Sequence, residues 1–129
     1  MNERYENGWT TLMEVDGEGG KRVIELLKDI APDIGKYVIE FAFGDIYTRE
    51  GLNLQQKQLV TISSLTTQGG CEPQLNIHIN AALNVGLTPH VIVEAITHCI
   101  PYTGFPKALN AIFIAKQVFT ERELTVTLK

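Results

Sequence analysis

The chain has 129 residues, enough to bury one modest core and too few for two large ones, so the expectation is a single domain. Hydrophobic residues make up 44% and charged residues 20%, ordinary globular proportions, and a net charge of −4 points away from nucleic acid and anionic membrane as partners. No apolar run approaches the roughly 18 residues of a bilayer span, the opening MNERYENGW lacks an apolar signal core, and two cysteines are too few for a disulfide framework, so a cytoplasmic protein with reduced thiols is expected.

Tyr5, Trp9, Leu12 and Met13 mark one face of a first short helix between Asn2 and Val15, which Gly17, Gly19 and Gly20 should break. Val23, Ile24, Leu26, Leu27 and Ile30 define a second helix. It ends before Pro32, because proline disfavours helical geometry in the residue ahead of it. Pro32 opens a third, with Ile34, Val38, Phe41, Ala42 and Ile46 in helical period as far as Tyr47; Thr48 to Gly51 then reads as a loop carrying Arg49. Asn53 followed three residues later by Gln56 has capping-box spacing, and predicts a helix with Leu59, Ile62, Leu65 and Thr66 on one side.

Gly69 and Gly70 supply a hinge, and Pro73 suits the first turn of a helix that begins near Glu72 and stops at Gly86. On it Gln74 and His78 lie one turn apart, and Cys71 joins them in one polar ridge if the first turn reaches back that far. Thr88 and Pro89 are a cap and a first-turn proline for the next helix, which Pro101 should end or kink. Tyr102 to Phe105 would then form a turn before Pro106 starts a last long helix burying Leu109, Ile112, Phe113, Val118 and Phe119. Only the tail, Leu124 to Leu128, alternates like a strand, and it would be extended or disordered. The fold class expected is all-α, a bundle of about six helices.

Two readings fit Cys71. A thiol at a helix N-terminus meets the positive end of the dipole, which favours the nucleophilic thiolate, while a small half-buried packing residue is the plainer reading. His78 borders the apolar stripe of Leu75, Ile79 and Ala82, so it is either a core histidine or a proton carrier. Cys99 reads as packing, His90 as solvated, and His98 as lining a cleft or meeting a helix end. Tyr102 is first a turn residue, with a hydroxyl able to donate to a substrate oxygen. Arg49 and Lys57 are surface cations that would suit a carboxylate, and Glu94 serves as a cap or ion-pair partner or orients His78 or His98. No metal-ligand spacing, phosphate-cradling loop or Ser-His-Asp arrangement is present, so neither a metal nor a cofactor is expected.

The segments LNLQQKQLVTISSLTTQGG and QLNIHINAALNVGLTPHVIVEAITHCIPYTGFPKALNAIFIAKQVF resemble the carboxymuconolactone decarboxylase family, above all in HINAALNVGLT and in Tyr102, Gly104 and Pro106. RYENGW and FAFGDIYTREGL resemble its smaller stand-alone members. The resemblance implies an all-helical protomer assembling into a homo-oligomer, a hexamer or trimer, with a site where subunits meet. It also implies one of two chemistries. One is cofactor-free decarboxylation of a carboxylated lactone; the other is alkylhydroperoxidase D-type thiol chemistry, which uses a Cys-x-x-Cys pair and a histidine four residues after the second cysteine. His78 matches that histidine and Cys71 the first cysteine, but Gln74 stands in place of the second, and no carboxylate falls near Leu59 where the activating acid of that branch belongs. The expected function is therefore a decarboxylase, or a related lyase or isomerase, with His78 and Cys71 catalytic and Arg49, Tyr102, Gln74, His98 and Glu94 toward the substrate. A one-cysteine thiol oxidoreductase and a non-catalytic small-molecule-binding oligomer are the alternatives.

Overall fold

A computed structural model describes residues 2–126; the end of the tail expected over Leu124 to Leu128 lies outside them. Helices account for all the regular structure among the described residues: α1 Glu3–Val15, α2 Glu18–Leu27, α3 Pro32–Tyr37, α4 Leu54–Gln68, α5 Glu72–Asn84, α6 Pro89–Thr103 and α7 Phe105–Glu121. α3 runs without a break into a π-helical stretch, Val38–Ile46, closed by Tyr47 N–H donating to the Ala42 carbonyl at 2.9 Å. The chain divides into two compact units, one up to Leu54 and one from Gln55 onward.

In the first unit α1 is tied to the π stretch along its length. Asn2 caps α1 by accepting from Tyr5 N–H, and its amide donates to the buried Glu40 carboxylate at 3.0 Å. Arg4 grips Asp45 through two nitrogens at 3.0 and 2.7 Å and lies 3.7 Å from Glu40. The Arg4 guanidinium holds the Asp45 carboxyl below the usual carboxylate range. The two helices meet backbone to backbone. A Cβ on Gly8 would lie 1.9 Å from the Ile39 carbonyl oxygen, and one on Gly44 would lie 2.9 Å from that of Arg4. Leu12, Val15, Ile24, Ile39 and Phe43 fill the space beneath.

The break after α1 is narrower than expected. It falls at Asp16 and Gly17, the latter at φ 58°, and Gly19 and Gly20 lie inside α2. Asp16 is buried there at the carbonyl end of α1, and its Oδ1 has no hydrogen-bond partner. Burial pushes its carboxyl up to about 7. Unfolded aspartate titrates near pH 4, so across the interval between the two values the folded chain holds a proton that the unfolded chain releases. Stability from this group therefore falls as pH rises from about 4 to about 7. Asp16→Asn should make the chain more stable at pH 8, by on the order of 3 kcal/mol, and leave it close to the parent at pH 4. Urea unfolding at the two pH values checks this; an equal difference at both would contradict it.

In the second unit Ile62, Leu75, Ile79, Ala82, Ile92, Ile96, Ala108, Ala111, Ala115, Val118 and Phe119 form one core. The cap at Thr88 and the stop at Gly86 are present as anticipated. Thr88 Oγ1 accepts from Val91 N–H at 3.3 Å. α5 ends at Gly86, φ 100°, with Leu87 N–H reaching back to Ala82 and Gly86 N–H to Leu83, a Schellman closure.

Two expectations are corrected. Pro101 does not end α6: the helix passes through it to Thr103, because Gly104 N–H donating to Ile100 at 2.9 Å closes a final turn that the missing proline N–H does not enter. The turn shrinks to Gly104 at φ 89°. On α7 it is Ala108, Ala111 and Ala115 that face the core, with Val118 and Phe119, whereas Leu109 is 45% and Phe113 61% exposed and Ile112 half-buried. Small side chains let α7 lie close to its neighbours, and this sets the phase of the helix.

Candidate active site

The hinge before α5 forms as the two glycines require, with Gly69 at φ 71° and Gly70 at φ 69°. Cys71 is the N-cap of α5, half-buried. It starts the helix with its carbonyl, which accepts from Leu75 N–H at 2.8 Å, not with its side chain. Its Sγ donates to the Gly69 carbonyl oxygen at 3.5 Å.

Two turns on, His78 is half-buried and turned toward α4. Its Nδ1 lies 3.3 Å from Oε1 of Gln58, whose side chain is 0% exposed. Burial holds the imidazole down to about 4, so the ring is neutral at physiological pH. The stability consequence has the opposite sign to that of Asp16. The folded chain binds fewer protons here than the unfolded chain, so His78 contributes stability that is present above pH 6.5 and lost as pH falls toward 4.

The polar ridge forms only in part. Gln74 is exposed while His78 turns inward, so the residue standing where a second thiol would be is on the surface. His98 and Tyr102 pair near the end of α6, ring centroids 5.8 Å apart at 52°, both exposed, with Tyr102 at 77%. Glu94 is exposed on α6, and His90 is half-buried in its first turn. Arg49 belongs to the first unit, exposed on the turn after the π stretch, its N–H donating to Ile46. Cys99 is buried with Sγ donating to Ala95, which makes it a packing residue as expected. Among the described residues no three histidine, cysteine or acidic side chains converge as a metal site would need.

Gln58 was not among the residues the sequence singled out. The buried line of α4 is Gln58, Ile62 and Thr66, at i, i+4 and i+8, while Leu59 and Leu65 are half-buried beside it. The signal was available: with Ile62 fixed as core, position 58 lies one turn earlier on the same face.

Residues 32–117 match the carboxymuconolactone decarboxylase family. The chain belongs to that family. It is 35% identical to the 4-carboxymuconolactone decarboxylase of Acinetobacter baylyi, over 92% of this chain and 89% of the relative. It is 34% identical to an uncharacterized 15.0 kDa protein of Paracoccus denitrificans, over 75% and 73% of the two chains, and 29% identical to the nitrosuccinic acid decarboxylase of Metarhizium robertsii, over 65% and 58%. As a member of the carboxymuconolactone decarboxylase family, the chain carries His78 on α5 against the buried Gln58 amide of α4.

Proposed function

We propose that the chain is a carboxy-lyase that decarboxylates a small carboxylated lactone, or a chemically related acid, without a coenzyme, with His78 as the proton carrier. The observation that carries this reading is the half-buried imidazole, held neutral by burial, whose Nδ1 lies 3.3 Å from the Gln58 amide oxygen. The names of two decarboxylase relatives support the substrate class. In 4-carboxymuconolactone and in nitrosuccinic acid alike, carbon dioxide loss leaves an electron pair that a neighbouring group, lactone carbonyl or nitro, can take up.

The steps balance as follows. The bond to the carboxylate breaks, carbon dioxide leaves, and its bonding pair stays on the substrate, delocalised toward the acceptor oxygen. A carboxylated substrate brings negative charge beside the ring and raises the imidazole pKa, so Nε2 takes a proton from solvent as substrate enters. The imidazolium faces the developing anion, then gives that proton to carbon and returns to the neutral form. Each turnover releases one carbon dioxide and consumes one proton. Against thiol chemistry, Gln74 supplies no second thiol beside Cys71.

A homo-oligomer is part of the same proposal. Phe105, Leu109 and Phe113 leave an apolar stripe exposed along α7, and Ile34, Tyr37 and Phe41 leave another in the first unit, the kind of surface that symmetric association covers.

The test is direct. Purified protein in buffer, with no metal or coenzyme added, should release carbon dioxide from 4-carboxymuconolactone. Inertness toward that compound and toward a panel of carboxylated lactones and nitro acids would overturn the proposal.

A further inference from the structure

The fully buried Gln58 lies against a histidine that the proposed reaction needs to be neutral at rest and oriented. We infer that Gln58 is the positioning residue for His78: its Oε1 accepts the Nδ1 proton, locking one tautomer and reserving the Nε2 lone pair for the incoming proton. The inference rests on the proposed decarboxylation for its catalytic meaning, and on the 3.3 Å contact and complete burial of Gln58 for its geometry.

The chemistry of the amide explains why a glutamine suits this place. Three types of side chain could sit opposite Nδ1. An aliphatic one would leave Nδ1 without a partner and let the ring exchange tautomers. A carboxylate would accept the same proton, but its charge in a buried site would draw the imidazole to the protonated state before any substrate arrived. Of these three, the amide both orients the ring and adds no charge. Of the polar groups on α5, Cys71 bonds to Gly69, Glu72 lies in the first turn, Gln74 is exposed, and the Asn80 amide donates to Asn76; burial is the cause of the imidazole's low pKa, and α4 contributes the uncharged Gln58. The ring thus waits empty, and the substrate's own charge fills it.

A merely structural glutamine and a positioning one separate in two readouts. In the first, nitrogen-15 spectra of the imidazole in the unliganded wild-type protein at pH 7 should show His78 with Nδ1 protonated and Nε2 bare. The opposite tautomer, or a rapid mixture of the two, would overturn the inference whether or not any substrate is ever turned over. In the second, Gln58→Glu should move the titration of His78 upward, above the 6.5 of a free imidazole. Gln58→Leu should mix the tautomers and lower kcat by about tenfold or more, with KM within about twofold. Unchanged tautomer and unchanged kcat in Gln58→Leu would sink the assignment. Should the leucine variant fail to fold, the wild-type spectrum and the glutamate titration decide by themselves. A wild-type protein inactive on every carboxylated compound would defeat the proposed reaction while leaving the tautomer result standing.

Discussion

Replacing His78 by alanine should lower decarboxylation by about 10²- to 10³-fold while the helices remain formed. The size follows from the role: a positioned acid that delivers a proton to carbon contributes that much, and water entering the vacated space is a poor substitute. The substitution also removes the contact with the buried Gln58 amide, so stability must be followed alongside activity. His78→Asn separates the two effects. Its amide can still donate toward Gln58 but cannot carry a proton at neutral pH, so it should be as inactive as alanine and less destabilised. Steady-state kinetics with circular dichroism and thermal unfolding on both variants checks this. An alanine variant with near-normal kcat would remove His78 from the chemistry.

Gly8→Ala should unfold the first unit, or nearly so. In the interior of an exposed helix, alanine is more stable than glycine by about 1 kcal/mol, so helix propensity alone predicts a gain. Here the new Cβ would stand 1.9 Å from the Ile39 carbonyl oxygen and 2.7 Å from its carbon, both backbone atoms of the π stretch. Neither helix can yield by rotating a side chain, so they must separate, pulling Asn2 from Glu40 and Arg4 from Asp45. The loss should exceed about 3 kcal/mol, the upper end for ordinary single substitutions. Gly35→Ala is the control. A Cβ there meets only ordinary contacts at 3.7–3.8 Å, from Ile24 and Leu27 side chains, and should be neutral or stabilising. If urea unfolding ranks the two variants alike, the close approach of α1 to the π stretch is wrong.

The all-helical architecture was legible because its signals are local. Thr88 with Pro89, the glycine stop at Gly86, Pro32 and Pro73 each act within one turn of where they stand, and each does what was expected. What was not legible depended on neighbours. Pro101 looked like a stop, yet near the end of α6 there is little helix left to interrupt. Leu109 and Phe113 looked like core because they are large and apolar, but the face of α7 was chosen by the alanines that permit close packing, leaving the larger side chains outside. Nothing in the local pattern of Val38–Ile46 announces π geometry. Its wider turn brings the adjacent Ile39 and Glu40 both inside, off the line of Ile34, Val38, Phe41, Ala42 and Ile46 that helical period drew, and leaves Ile34, Phe41 and Ile46 exposed.

The site shows the same division. His78 and Cys71 stand out in the sequence because they are chemically distinctive and lie on the helix that starts at the Gly69–Gly70 hinge. Gln58 was missed because glutamine is usually a surface residue; only its phase with Ile62 betrays it. The ridge of Cys71, Gln74 and His78 was drawn on helical spacing alone, and burial divided it, taking His78 in and leaving Gln74 out.

The measurement closest to the central claim is the number of protons taken up when a saturated carboxylated lactone, which cannot delocalise the electron pair and so is not turned over, binds, read by calorimetry in buffers of differing ionisation enthalpy at pH 7. An imidazole neutral at rest and charged by its substrate predicts close to one proton taken up per site in the wild type and close to none in His78→Ala. Binding with no proton uptake in the wild type, or with the same uptake in the alanine variant, would contradict it.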